Sequence, residues 1–172
     1  MIGEPLLMIR PVQPGDKGEW LRLRLALWPD ADPEEQAGEI ATFFATPPRP
    51  PLPNLGAAFV CARPDGGLCG LVEVSIHHSA PGCHTDRIGY LEAWYVDADW
   101  RGRGVGRALV ERAEVWAREK GCTEMASDTA PEYPSSPDAH VALGYREVER
   151  YFRKDLPDPT FSSLTVGAGK SH

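Results

Sequence analysis

Apolar residues early in the chain recur at helical spacing. In "KGEWLRLRLALW" the residues Trp20, Leu21, Leu25 and Trp28 follow a 3.6-residue repeat, which predicts a helix from about Lys17 to Trp28 behind a first strand, "LMIRPV". "DPEEQAGEIATFFA" predicts a second helix. Asp32 caps it, Pro33 takes its first position, and Glu34 and Glu35 complement the positive end of its dipole. The next stretch, "PPRPPLP", holds five prolines in seven residues and reads as a stiff connector.

Past this connector the period changes to two. "AAFVCAR" and "LCGLVEVSIHH" flank "PDGG", where Asp65-Gly66 marks a hairpin turn between antiparallel strands. "IGYLEAWYV" is aromatic and β-branched enough for a central strand. Helical spacing returns in "VGRALVERAEVWAREKG", with Val105, Ala108, Leu109, Ala113 and Trp116 on one face and Gly121 as the stop. "CTEMASD" is a further strand. "SSPDAHVALGY" is a short helix with Ser136 as N-cap, Pro137 in the first turn and Gly144 at its end, and "REVERYFRKDL" is a last strand. The order β-α-α-β-β-β-α-β-α-β predicts one α/β domain over residues 1–156. The tail from Pro157 shows neither period and is expected to be mobile.

Composition narrows the function. A chain of 172 residues suits a single domain. No apolar run approaches the roughly 18 residues of a membrane span, and "MIGEPLLMIRP" is too short and acidic for a signal peptide, so a cytoplasmic protein is expected. Cys61, Cys69, Cys83 and Cys122 form no C-x-x-C pair and read as reduced, mostly buried thiols. "HHSAPGCH" gathers metal-capable side chains without the spacing of a metal site and reads as a solvated loop, so no metal is expected. The net charge of −7 argues against nucleic acid as a partner and for a cationic one.

Within this acidic chain, "WRGRGVGRALV" sets three arginines among three glycines just before a helix. A strand end, a loop with Gly102, Gly104 and Gly106, and a helix start present free N–H groups and a positive dipole end, which is a cradle for a diphosphate. Arg101, Arg103 and Arg107 add charge at its rim. Neither a P-loop nor a G-x-G-x-x-G fingerprint fits the spacing.

"RGRGVG", read as Arg101-x-x-Gly104-x-Gly106 between strand and helix, resembles the acetyl-CoA motif of the GCN5-related N-acetyltransferases (GNAT), whose element order is similar over nearly the whole chain. The resemblance implies the GNAT fold, a mixed and mostly antiparallel central sheet flanked by helices. It also implies acetyl-CoA as co-substrate, its pyrophosphate on the amides of Gly102, Arg103, Gly104, Val105, Gly106 and Arg107, and its pantetheine arm along the backbone of Trp94, Tyr95 and Val96. "LALWPD", "EVSIHH", "YLEAWYV", "GCTEMASDTAPE" and "AHVALGYREVERYFRKDL" are similar to the dimeric branch of the aminoglycoside 6'-N-acetyltransferases. That likeness implies a homodimer, and substrate contacts from Trp28, Glu92, Asp128 and Glu149. Ala31, Ser79 and Tyr133 depart from the branch's pattern, where a histidine, a tyrosine and an asparagine stand, which bears on the drug spectrum more than on the reaction.

The chemistry asks for a neutral amine, a polarised carbonyl and a proton for the leaving thiolate. Glu92, mid-strand and expected on the face of Trp94 opposite Leu91, Ala93 and Tyr95, is either the acid that serves the amine or half of a salt bridge across the sheet. Asp128 sits at a strand end, as a ligand or as a turn cap. Glu73 reads as an edge residue facing water. His140 stands where many members of the superfamily carry a tyrosine proton donor, with a core or capping role as the alternative, and Tyr151 is the second candidate donor, with strand packing as its alternative. Trp20, Phe43 and Phe44 read as core; Trp28, at its helix end, is placed to face a ligand. The expected activity is acetyl transfer from acetyl-CoA to the 6'-amine of an aminoglycoside by direct attack. The same fold acting on a polyamine or a protein N-terminus, or a non-catalytic acetyl-CoA sensor, are the rivals.

Overall fold

The computed structural model describes residues 7–45 and 55–156; the proline connector and the tail from Pro157 lie outside them. Five strands form one sheet in chain order: β1 (Met8–Pro11), β2 (Leu55–Ala62), β3 (Leu68–His77), β4 (Ile88–Val96) and β5 (Glu124–Ser127). The first three pairings are antiparallel and β4–β5 is parallel. Helix α1 (Lys17–Leu27) and α2 (Pro33–Phe43) precede β2, α3 (Val105–Glu119) links β4 to β5, and α4 (Ser136–Ala142) follows. The Asp32 carboxylate accepts from the Glu34 and Glu35 amides, as its capping position requires. Gly66 and Gly67 both take positive φ at the hairpin between β2 and β3.

Two apolar clusters hold the sheet from opposite faces. Val105, Leu109, Val110, Ala113, Trp116 and Ala117 of α3 pack on Phe59, Val72, Val74 and Leu91. Trp20 and Leu23 of α1 and Ile40 of α2 pack on Ala58, Val60 and Leu71. The α3 face differs slightly from the spacing's expectation, with Val110 and Ala117 buried and Ala108 half-buried. In α1 the buried strip is Trp20, Leu23 and Arg24, while Leu21 and Leu25 are half-buried. An arginine lies inside because a buried acid on β3 receives it.

Two expectations fail near the end of the chain. The N-cap of α4 is Ser135, one residue earlier than Ser136. "REVERYFRKDL" forms no strand: residues 146–156 are exposed and irregular, with Val148, Tyr151, Phe152 and Leu156 uncovered. A strand needs a ladder for its N–H and C=O groups, and within one chain this segment pairs with none.

Candidate functional site

The site is built around a defect in β4. Its ladder with β3 pairs Glu73 with Ala93 and Val74 with Leu91, so Glu92 is one residue too many and sits in a bulge. The bulge exchanges the two faces of the strand. Before it, Gly89 and Leu91 lie under α3; after it, Trp94 and Val96 do. Glu92 therefore does not share a face with Trp94 as simple alternation predicts. It meets Ser75 and His77 of β3, two and four residues beyond Glu73, on the face that carries α1.

One carboxylate oxygen of Glu92, Oε1, accepts from the Ser75 hydroxyl and lies 2.7 Å from His77 Nε2. Among the described residues nothing occupies Oε2, and the side chain is 33% exposed. The acid is thus partly solvated and, among the described residues, not bridged to an Arg or Lys across the sheet. The His77 ring stacks on Tyr90 with centroids 4.1 Å apart and planes 8° from parallel. Tyr90 in turn donates its hydroxyl to Asp128 Oδ1 at 2.6 Å. Burial, then the bond to Asp128, then the nearby charges of Asp128, Glu92 and Tyr151 push the Tyr90 phenol upward, so it remains a donor at neutral pH. Asp128 is exposed just past β5, whose last pairing is Leu91 with Ser127, so the two acids flank the same point of the sheet. It acts as the acceptor for Tyr90 and caps no helix.

Among the described residues no strand pairs with the β5 side of β4 beyond Ser127, so from Glu92 onward that side lacks a ladder, and the Val96 carbonyl accepts from Arg101 instead. At the far end Asp97 is fixed by Arg22, through two contacts of 3.0 Å, and by Arg63 at 2.8 Å. The glycine loop follows. Gly102 and Gly104 hold φ of 74° and 79°, the left-handed region that costs other residues free energy. The first backbone bond of α3 runs from the Ala108 N–H to the Gly104 carbonyl at 3.0 Å. The Val105, Gly106 and Arg107 amides thus have no acceptor within the helix, the arrangement that binds anions. A Cβ on Gly106 would press on the Trp94 ring. Arg101 donates to the Val96 carbonyl at 2.9 Å, Arg103 lies over the Trp100 ring, and Arg107 reaches the Ala142 carbonyl at 3.1 Å, so all three arginines are exposed but tethered.

His140 and Tyr151 fall differently. His140 is half-buried, edge-on to both Trp94 and Tyr145, with Nδ1 2.8 Å from the Ser136 carbonyl and Nε2 2.9 Å from the Ser127 hydroxyl. A carbonyl only accepts, so Nδ1 carries the proton, and in the neutral ring Nε2 receives the Ser127 hydroxyl. Tyr151 donates to Glu149 at 2.9 Å in the exposed terminal segment, so neither the strand packing foreseen for Tyr151 nor a hydrogen bond from Glu149 to the cluster is present. Trp28 is half-buried at the end of α1, over the Arg24 guanidinium, and Tyr133 bonds the neighbouring Leu27 carbonyl at 2.6 Å.

Sequence reasoning missed two groups. The sequence reading puts His77 in a solvated loop, although period-two spacing from Glu73 places it with Ser75 on one face. Glu73 is 1% exposed, not an edge residue: Arg24 Nε and Nη2 reach it at 2.6 and 2.8 Å, and Trp20 donates to it at 2.6 Å. Burial opposes the charge on Arg24, but Glu73 and then Glu39 outweigh it and raise the guanidinium further above neutrality. Among the described residues no group of three or more metal-capable side chains comes together.

The model of the acetyltransferase (GNAT) family matches residues 19–145. An aminoglycoside N(6')-acetyltransferase type 1 of Klebsiella aerogenes is 42% identical over 151 residues, covering 87% of this chain and 97% of the relative. A protein of the same name from Stenotrophomonas maltophilia is 40% identical, covering 86% and 93%. Among solved structures, AAC(6')-Iy in complex with a bisubstrate analogue, CoA-S-monomethyl-acetylneamine, superposes with a TM-score of 0.74 at 32% identity, over 88% of this chain and 99% of that one.

Proposed function

The chain belongs to the acetyltransferase (GNAT) family, and from that premise we propose that it is an aminoglycoside 6'-N-acetyltransferase, a single domain over residues 1–156 that moves acetyl from acetyl-CoA to the 6'-amine and so serves antibiotic resistance. The observation that carries this reading is the pair of acids, Glu92 and Asp128, joined through His77 and Tyr90 beside the open edge of β4. A polyamino sugar is a polycation at neutral pH, and two exposed carboxylates on an acidic protein suit it. The relatives' names and the bound acetylneamine analogue support the same substrate class.

The residues fit acetyl-CoA. The free amides at the start of α3 suit its diphosphate, and the side of Trp94 to Val96 away from β3, where among the described residues no strand pairs, suits an extended arm. Acetyl-CoA supplies the thioester; the chain supplies the rest. Glu92 Oε2 takes or orients, directly or through water, the proton that the ammonium must lose before its nitrogen bonds the acetyl carbon and the C–S bond breaks. Asp128 and Trp28 hold the remainder of the sugar, with Glu149 as a further acid. The free backbone at Trp94 polarises the carbonyl. On becoming an amide the nitrogen loses a second proton, and that proton serves the thiolate: His140 takes it at Nε2 and returns it through the Ser127 hydroxyl, in preference to Tyr151, whose hydroxyl is committed to Glu149.

A homodimer is part of the proposal. The exposed apolar residues of the terminal segment, Val148, Tyr151, Phe152 and Leu156, and the outer edge of β5, unpaired among the described residues, give a second copy both apolar surface and backbone to pair with. Four cysteines without a disulfide suit a reducing cytoplasm, and among the described residues no helix is long and apolar enough to cross a membrane.

The test is a thiol-release assay with acetyl-CoA and aminoglycosides differing only at the 6' position. Those with a 6'-amine are expected to turn over and those with a 6'-hydroxyl not; equal turnover of both, or fast acetylation of a peptide N-terminus alone, would overturn the assignment.

A further inference from the structure

We propose that His77 is a positioning residue of the acceptor site, holding Glu92 Oε1 so that Oε2 faces the incoming amine. The inference rests on the reading of Glu92 given above and goes beyond it, to a residue that touches the acid and not the reacting atoms.

The geometry distinguishes this contact from a chance surface pair. Glu92 lies in a bulge, where the ladder that would fix its backbone is interrupted, so its aim has to come from side chains. Two side chains supply it, both from β3 and both on the same oxygen: the Ser75 hydroxyl and, at 2.7 Å, His77 Nε2. Ser75 is fully buried, held by the packing around it. His77 is one-third exposed and is held instead by its stack on Tyr90, whose hydroxyl is anchored on Asp128. The ring is clamped in plane, with Nε2 on the acid.

The direction of the hydrogen bond follows from the acceptor. A carboxylate only accepts, so Nε2 carries the proton and His77 is the donor. Both donors lie on Oε1, which leaves Oε2 without a partner among the described residues and open to the ammonium. Both acids are thus aimed by one pair of stacked rings. The contact would change catalysis through the orientation of Oε2, with no effect on the distant diphosphate cradle.

The experiment compares His77→Ala, His77→Gln, Glu92→Gln and the double variant Glu92→Gln with His77→Ala, using acetyl-CoA and one aminoglycoside with a 6'-amine, together with ring-nitrogen NMR of His77. His77→Ala is expected to lower kcat about tenfold, the scale of one lost hydrogen bond to a charged group, with KM for acetyl-CoA unchanged. His77→Gln, whose amide places an N–H near the former Nε2, should restore kcat to within about threefold of the wild type. Added to Glu92→Gln, the alanine should cost nothing more, because a residue that acts through Glu92 has nothing left to position. A wild-type kcat in His77→Ala alongside a collapse in Glu92→Gln overturns the inference and leaves the functional reading intact. So does a loss that the glutamine fails to rescue, or one that adds in full to that of Glu92→Gln. If Glu92→Gln itself keeps full activity, or no aminoglycoside turns over, the functional reading fails, and NMR then decides the contact. An Nε2–H ring whose signals shift on Glu92→Gln upholds His77 as the group that orients this acid; an Nδ1–H ring, or unshifted signals, overturns it.

Discussion

Glu73 and Glu92 stand on neighbouring strands and on the same side of the sheet, yet they live in opposite surroundings. Around Glu73 every partner is fixed: Arg24 approaches with two nitrogens, Trp20 with a third, and Gln36 and Glu39 of α2 take the remaining arm of Arg24. Around Glu92 one oxygen is held by a serine hydroxyl and a histidine, and the other has no partner among the described residues. The first arrangement spends an acid on joining α1 and α2 to the sheet, where the pair's desolvation cost is met only because every partner is present. The second leaves one oxygen without a partner, so that a substrate can supply one. An acid inside a strand is therefore not in itself a sign of catalysis. The sign is an acid whose partners stop short of neutralising it.

The largest expected effect lies on the structural side of this contrast. Glu73→Gln keeps the shape but leaves the Arg24 charge buried without its main counter-ion, and about 3–5 kcal/mol of unfolding free energy should be lost in a denaturant titration. A loss below about 1 kcal/mol would mean that Glu39 alone can carry Arg24 and would erase the distinction between the two acids.

Glu92→Gln is the complementary cut. The ratio kcat/KM for the amine should fall about 10²-fold, or about 2.7 kcal/mol, as for other general acid–base groups, while stability stays within about 0.5 kcal/mol. A large drop in melting temperature with turnover per folded molecule retained would make Glu92 a second structural acid.

The smallest effect separates both acids from the cofactor. Gly104→Val forces a β-branched residue into a φ of 79° at the start of α3 and should raise the acetyl-CoA dissociation constant about tenfold, or about 1.4 kcal/mol. Calorimetry is expected to show no such change in Glu92→Gln. Unchanged binding in a folded Gly104→Val protein would remove the loop from the cofactor site.

Most of the fold can be read from the chain because its signals are local. The Asp32-Pro33 start of α2, the Asp65-Gly66 hairpin, the full extent of β4 and the glycines before α3 depend on near neighbours in sequence. What escapes is whatever depends on distance. Arg24 and Glu73 are 49 residues apart, and nothing in either segment announces the other. The bulge is invisible because "YLEAWYV" alternates acceptably in either phase, and with it go the true face of Glu92 and the meeting with His77. The terminal segment misleads for a related reason: its alternation states what it would do beside a partner strand, not what one chain offers it.

The bulge also has a hereditary side. Substitutions in β4 test one position at a time, but gain or loss of a single codon between Leu91 and Ala93 changes the parity of the whole strand. With one residue fewer, the stretch from Ile88 could keep its apolar side chains under α3 only by surrendering the acid, and the stretch to Val96 only by turning Gly89 and Leu91 outward. In this nonapeptide a change of length disturbs more side chains than a change of any one residue.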